Sequence, residues 1–214
     1  MLVAAVVGSG IMGDRLAAGN VAIALLANSV ATGAALVVLI LTFGPVSGAH
    51  FNPLVSCVDA SQGRMSWADA VSYSVVQLAG ALGGVVLAHL MFGEPTLVAR
   101  ATHVRAGWSQ GLSEGVATFG LIAVIWSGTR TRPTVVPFAV GAYITSAYWF
   151  TASTSFANPA VTLARTLTNT FTGIRPADAP AFLVAQALGA IAATLLFRWL
   201  LPEDVRRSRS DGDD

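Results

Sequence analysis

The pattern N-P-x-V-[ST] occurs twice in this chain, as NPLVS at 52–56 and NPAVT at 158–162. Each copy follows a loop of mostly small residues, SGAHF before the first and TSFA before the second. Asn is a strong helix N-cap, and Pro suits the first helical position because its φ is preset and its missing N–H would have no partner there. Asn52 and Asn158 are therefore expected to cap two short helices that begin at Pro53 and Pro159. In such a cap the side-chain oxygen accepts from the start of the helix, and the amide NH₂ keeps two donors to offer elsewhere.

The surroundings give those donors meaning. Of 214 residues, 54% are hydrophobic and only 11% charged, too little charge for the surface of a soluble domain of this length. The class is an all-α integral membrane protein. Irregular backbone is tolerated at membrane depth only where it lines a cavity or is buried in protein. All twelve basic residues are Arg, a matter of genome composition, and a net charge of +1 argues against a nucleic-acid partner. The single cysteine, Cys57, excludes an internal disulfide and a multi-thiolate metal site. The opening residues show no cleavable signal pattern.

Apolar stretches long enough to cross about 30 Å of hydrocarbon run at 21–43, 66–91, 111–127, 134–153 and 179–201, and a sixth, at 1–12, is short. QLAGALGG (77–84) and QALGAIAA (186–193) resemble each other, and each follows an Asn-Pro element by a similar distance. Their Gly and Ala residues let helices approach closely in lipid. The chain therefore reads as two related halves, 1–91 and 108–201, within one domain at 1–205, followed by a disordered tail at 206–214. Three spans per half is an odd number, so the halves enter the membrane with opposite topology. The expected fold is six transmembrane helices plus two re-entrant half-helices. Aligning VVGSG (6–10) with VIWSG (124–128) places the counterpart of Glu114 before Met1, so the first helix is expected to lack its opening turns and that carboxylate.

Broken segments at matching places in inverted repeats point to a permeation site. Two half-helices meeting at the midplane aim both Asn amides and both positive dipole ends into one lumen. A water there accepts from both amides and turns its protons away from the centre. That interrupts a proton wire, while the dipoles raise the barrier to cations. Such a site suits small uncharged solutes.

With SGAHFNP and FANPA in a six-span context, the chain resembles the aquaporin and glycerol-facilitator (major intrinsic protein) family over essentially its whole length. The resemblance implies a homotetramer with one pore per subunit, in a bacterial inner membrane with both termini cytoplasmic, and no cofactor. The midplane positions are then Asn52, Pro53, Leu54, Asn158, Pro159 and Ala160, with Leu54 replacing the family's usual Ala. Most members carry an Arg three places after the second Asn. This chain has Val161 there, and family spacing puts the other filter positions on Thr32, Ser146 and Ser155. That set is free of aromatics, His and charge, so the expected constriction is wide and lined by hydroxyls. A bacterial branch of the family, often encoded beside arsenic-resistance genes, has Val at this place, and this chain resembles that branch. It implies passage of neutral metalloid hydroxides such as arsenous acid, with glycerol-like polyols and water.

Two readings of Val161 stay open. Either it sets the filter width, or it packs against a helix while Arg165, four residues on and about 6 Å further along the axis, substitutes. Under the first reading Arg165 belongs to the outer vestibule. Asp59 and Arg165, each seven places after its Asn, would then give the inner mouth a negative group and the outer mouth a positive one. His50 lies just before Asn52, where the family suggests an inner-vestibule position. Glu114 is a carboxylate within a span, which is expensive; the resemblance implies that it accepts from the backbone preceding a half-helix. No His, Cys and carboxylate cluster suggests a metal, and no nucleophile–base pair suggests an enzyme. The rivals to a metalloid-permeable channel are an ordinary water or glycerol facilitator and a secondary transporter.

Overall fold

The computed structural model describes residues 1–201. These residues form eight α-helices: α1 (Leu2–Leu16), α2 (Val21–Ser47), α3 (Pro53–Ser61), α4 (Trp67–Phe92), α5 (Trp108–Thr131), α6 (Val136–Phe150), α7 (Pro159–Ala164) and α8 (Ala179–Leu200). A 3₁₀ turn at Pro133–Val135 leads into α6, and another at Arg165–Leu167 closes α7. The expected tail at 206–214 lies outside the described residues.

Four helices, α2, α4, α5 and α8, are long and apolar enough to cross a membrane. α1 and α6 are shorter, at 15 residues each. Local chemistry sets the boundaries. Asn20 caps α2 through the amides of Ala22 and Ile23, and Ser66 caps α4 through the amide of Asp69. Gly48 and Gly93 end those two helices in the left-handed region, at φ 71° and 63°, where a glycine carries no Cβ penalty. α2 runs past the expected residue 43 and takes in Pro45.

The pairing of helices repeats between the halves. α1 packs on α2 and α4 as α5 packs on α6 and α8, and α2 meets α6 across the repeats. The half-helix α3 lies on α4 as α7 lies on α8, and α3 and α7 touch. Buried polar groups tie the helices where lipid supplies no hydrophobic drive. Asn28 on α2 donates to the Val6 carbonyl at 2.8 Å and to Ser9 Oγ at 2.9 Å on α1. Trp149 on α6 donates to Ser29 Oγ on α2 at 3.0 Å.

Glycine permits two close crossings of helix backbones. A Cβ on Gly141 would lie 2.6 Å from the Gly33 carbonyl oxygen, and one on Gly189 would collide with the backbone of Gly115. Backbone cannot swing aside as a long side chain can. Gly189→Ala is therefore expected to force α5 and α8 apart and to cost about 1–3 kcal/mol, read as a lower thermal midpoint in detergent. Gly80→Ala on α4, where a Cβ meets nothing within 4 Å, should be neutral or stabilising by up to about 1 kcal/mol. Equal midpoints for the two variants would refute this account of the crossing.

Candidate pore site

The two Asn-Pro elements meet head to head. Asn52 Oδ1 accepts from the Leu54 amide at 3.0 Å, and Asn158 Oδ1 accepts from those of Ala160 and Val161 at 3.0 and 3.3 Å. Their NH₂ groups cross to the opposite repeat: Asn52 Nδ2 donates to the Ala157 carbonyl and Asn158 Nδ2 to the Phe51 carbonyl, both at 2.7 Å. The lock needs both carbonyls turned inward. Phe51 and Ala157, each one place before its Asn, have φ of 49° and 47°, and Ala49 and Ser155, each three places before, have 49° and 51°. Non-glycine residues in this region cost of order 1 kcal/mol or more each, so something must hold the loops.

Glu114 holds the second loop. Fully buried on α5, it accepts from the Phe156 amide at 2.8 Å, the Ala157 amide at 2.9 Å and Gln186 Nε2 at 2.6 Å. Gln186 also donates to Thr162 Oγ1 at 2.9 Å and so ties α8 to α7. The first loop is held through its side chain instead. His50 Nδ1 lies 3.0 Å from Ser56 Oγ, and its Nε2 lies 3.3 Å from Asp59 Oδ2. Asp59 also pairs with Arg64 at 2.6 Å, so this negative group carries its own counter-charge.

A cavity of about 1020 Å³ runs past both asparagines. Its wall includes His50 and Asp59 near one end, Asn52 and Asn158 between, and Thr32, Tyr148, Ser155, Phe156, Val161 and Arg165. Pro53, Leu54, Pro159 and Ala160 do not contribute to that wall. Leu54 packs toward Val55, Ile122, Ala190 and Ala193, and Ala160 belongs to the apolar cluster of α1, α4 and α7. Val161 joins that same cluster while also facing the cavity.

Three expectations are corrected. Ser146 is exposed on the outer face of α6, where its hydroxyl donates to the Tyr143 carbonyl at 2.7 Å. The α6 residues on the wall are Val136, Val140, Ile144 and Tyr148, and the Tyr148 hydroxyl donates to Thr32 Oγ1 at 3.3 Å. The cavity wall is therefore neither free of aromatics nor free of charge. Arg165 is not a solvated vestibule residue either: it is 1% exposed, its Nε donates to the Thr172 carbonyl, and its guanidinium carbon sits 3.4 Å from the centre of the Phe156 ring.

One part of the site carries no local sequence signal. The irregular segment 93–107 lies against the end of α7, with the Ala99 and Ala101 amides donating to the carbonyls of Leu167 and Thr166 at 3.0 Å. It delivers Arg105, which donates to the carbonyls of Gly173 and Ser153 at 2.9 and 3.2 Å and lies 5.1 Å from the Phe156 centroid. Asp178 accepts from the Arg105 amide at 2.8 Å and pairs with Arg175 at 2.7 Å. Hydrogen bonding from Arg175 lowers the Asp178 pKa. Burial, and then the charges of Arg105 and Arg165, lower that of His103.

A pair of inverted half-helices, locked through their cap asparagines on one continuous cavity, is a design that the sequence itself can be checked for. The pattern described as Major intrinsic protein matches residues 1–154 and 132–212. The chain belongs to that family. It is a multi-pass membrane protein, and members of the family are channels, not enzymes. Among its relatives, the aquaglyceroporin AqpS of Rhizobium meliloti is 60% identical over 201 residues, covering 94% of this chain and 85% of that one. The maize aquaporin NIP2-2 is 29% identical over 85% of this chain and 60% of its own length. The rice aquaporin NIP1-4 is 40% identical over 45% of this chain and 36% of its own.

Proposed function

We propose that residues 1–205 form one passive channel domain for small uncharged solutes, with glycerol-like polyols, water and neutral metalloid hydroxides such as arsenous acid as permeants. The observation that carries this reading is the cavity wall, on which both cap asparagines are exposed to one lumen. Each amide uses one N–H in the cross-repeat lock, which leaves one for a passing oxygen. Solutes with hydroxyl groups can exchange water for these donors and for the hydroxyls of Thr32 and Ser155. The name of the Rhizobium meliloti relative, an aquaglyceroporin, supports glycerol as a permeant here. Val161 in place of a filter Arg supports a lumen wide enough for polyols and for arsenous acid, which is neutral at neutral pH and bonds like a small polyol.

The channel works as a homotetramer with one pore per subunit in a bacterial inner membrane. Both termini are cytoplasmic, which puts seven arginines (Arg64, Arg130, Arg132, Arg198, Arg206, Arg207 and Arg209) on the inner side against five outside, a small excess in the sense of the positive-inside rule.

Stopped-flow light scattering on proteoliposomes tests the reading. Native protein should pass glycerol and arsenous acid. Val161→Arg should lower both permeabilities by about tenfold or more, because a guanidinium fork occupies the lumen that an isopropyl group leaves open, while water permeability changes little. Equal solute permeability in the two proteins would show that Val161 does not set the width.

A further inference from the structure

The buried guanidinium of Arg165 lacks an adequate partner set within the fold. Its Nε is satisfied by the Thr172 carbonyl and its face by the Phe156 ring. Among the described residues, its two terminal nitrogens have no hydrogen-bond partner. No carboxylate among the described residues forms an ion pair with it either, and Glu114 accepts instead from the Phe156 and Ala157 amides and from Gln186. An arginine does not give up its proton in a protein, so the charge persists at 1% exposure. A buried, unpaired cation of this kind is costly. The one environment left for its free N–H groups is the cavity that Arg165 lines. Ser155 Oγ, on the same wall, is likewise buried without a partner.

We propose that Arg165 is the fixed cation of the outer constriction, presenting its terminal N–H groups to the lumen, where they donate to passing oxygen atoms and repel cations. The inference rests on the channel reading above. It assigns charge selection to a residue seven places after Asn158, while Val161 leaves the lumen wide. Phe156 and the Thr172 carbonyl orient the guanidinium. Arg105, whose own contacts are to the carbonyls of Ser153 and Gly173 and to Thr154 Oγ1, is a positioning residue: it clamps the loop that carries Phe156 and adds positive potential behind the ring. Both cations gain from the ring's negative face. Width and charge selection are thereby separated, onto Val161 of α7 and onto Arg165 of the 3₁₀ turn that follows it.

Urea and guanidinium ion have nearly the same size and differ in charge, so their permeability ratio reads the barrier to cations. The full chain, reconstituted in liposomes, is given labelled urea or labelled guanidinium at tracer concentration. Native protein should pass urea and hold guanidinium at the protein-free background. Arg165→Met, which fills a similar volume, and Arg165→Gln, whose amide can still reach the Thr172 carbonyl, should each lower the urea-to-guanidinium ratio by about tenfold or more, as the loss of a fixed charge from the lumen wall requires. Arg165→Lys should stay near native. Native protein that passes no urea overturns the channel reading and this inference with it. Native protein that conducts, with the same ratio in all variants, overturns the inference alone. If both neutral variants fail to fold while Arg165→Lys folds, Arg165 serves structure and the inference also falls.

Discussion

Replacing Glu114 by leucine is expected to abolish solute permeability and to lower stability by about 3–5 kcal/mol, since three buried donors are left without an acceptor at about 1–3 kcal/mol each. Two backbone amides, Phe156 and Ala157, and the Gln186 side chain all donate to this one carboxylate. No water can replace it in a fully buried site filled by leucine. The amides belong to a loop whose residues Thr154, Ser155 and Ala157 all lie at positive φ, so the restraint is removed where backbone strain is stored. The loop should relax, turning the Ala157 carbonyl away from Asn52 and unlocking the two half-helices. For a chain of this length the thermal midpoint should fall by roughly 6–20 °C. Glu114→Gln should fall between, because its single carbonyl oxygen serves one amide while its NH₂ faces the other donors. Thermal scans in detergent, with light scattering on the same preparations, measure both effects. A Glu114→Leu protein with native permeability would show that the carboxylate does not position the loop.

Much of this architecture was legible because it depends on local chemistry. Asn followed by Pro specifies a helix start wherever it occurs, and its repetition showed the two halves. Long apolar runs located the major helices within a few residues. What escaped depends on rotation and on distant contacts. Ser146 and Tyr148 are two residues apart, which on a helix is a turn of about 200°. A count by spacing that is off by two thus exchanges the lipid face for the lumen face. Arg165 was placed as though α7 continued, but the helix ends at Ala164 and tightens into a 3₁₀ turn. That turn, with the Thr172 carbonyl beyond it, brings the guanidinium back over Phe156. Arg105 lies in a segment with no periodicity at all. Its one hint was an arginine in a chain that is only 11% charged, and nothing local says which carbonyls it will meet.

The cross-repeat lock gives a second large effect, and two substitutions separate it from helix capping. Asn158 performs both tasks, with Oδ1 serving the amides of Ala160 and Val161 and Nδ2 serving the Phe51 carbonyl. Asn158→Ser keeps a good N-cap, but its hydroxyl is too short to reach Phe51. The Phe51 carbonyl then loses its donor in a part-buried setting on the cavity wall, at a cost of about 1 kcal/mol. The lumen also loses one of its two midplane amides, so glycerol permeability should fall by about tenfold, one interaction of about 1.4 kcal/mol at the barrier. Asn158→Ala loses the cap as well and should be less stable by about 1 kcal/mol more, with little further loss of permeability if capping does not affect the solute. The same logic applied to Asn52→Ser frees the Ala157 carbonyl, which Glu114 still restrains through the Ala157 amide. That variant should therefore be the milder of the two serine substitutions. Equal damage from Asn52→Ser and Asn158→Ser, measured by thermal midpoint and glycerol flux, would mean that Glu114 gives the second loop no independent support.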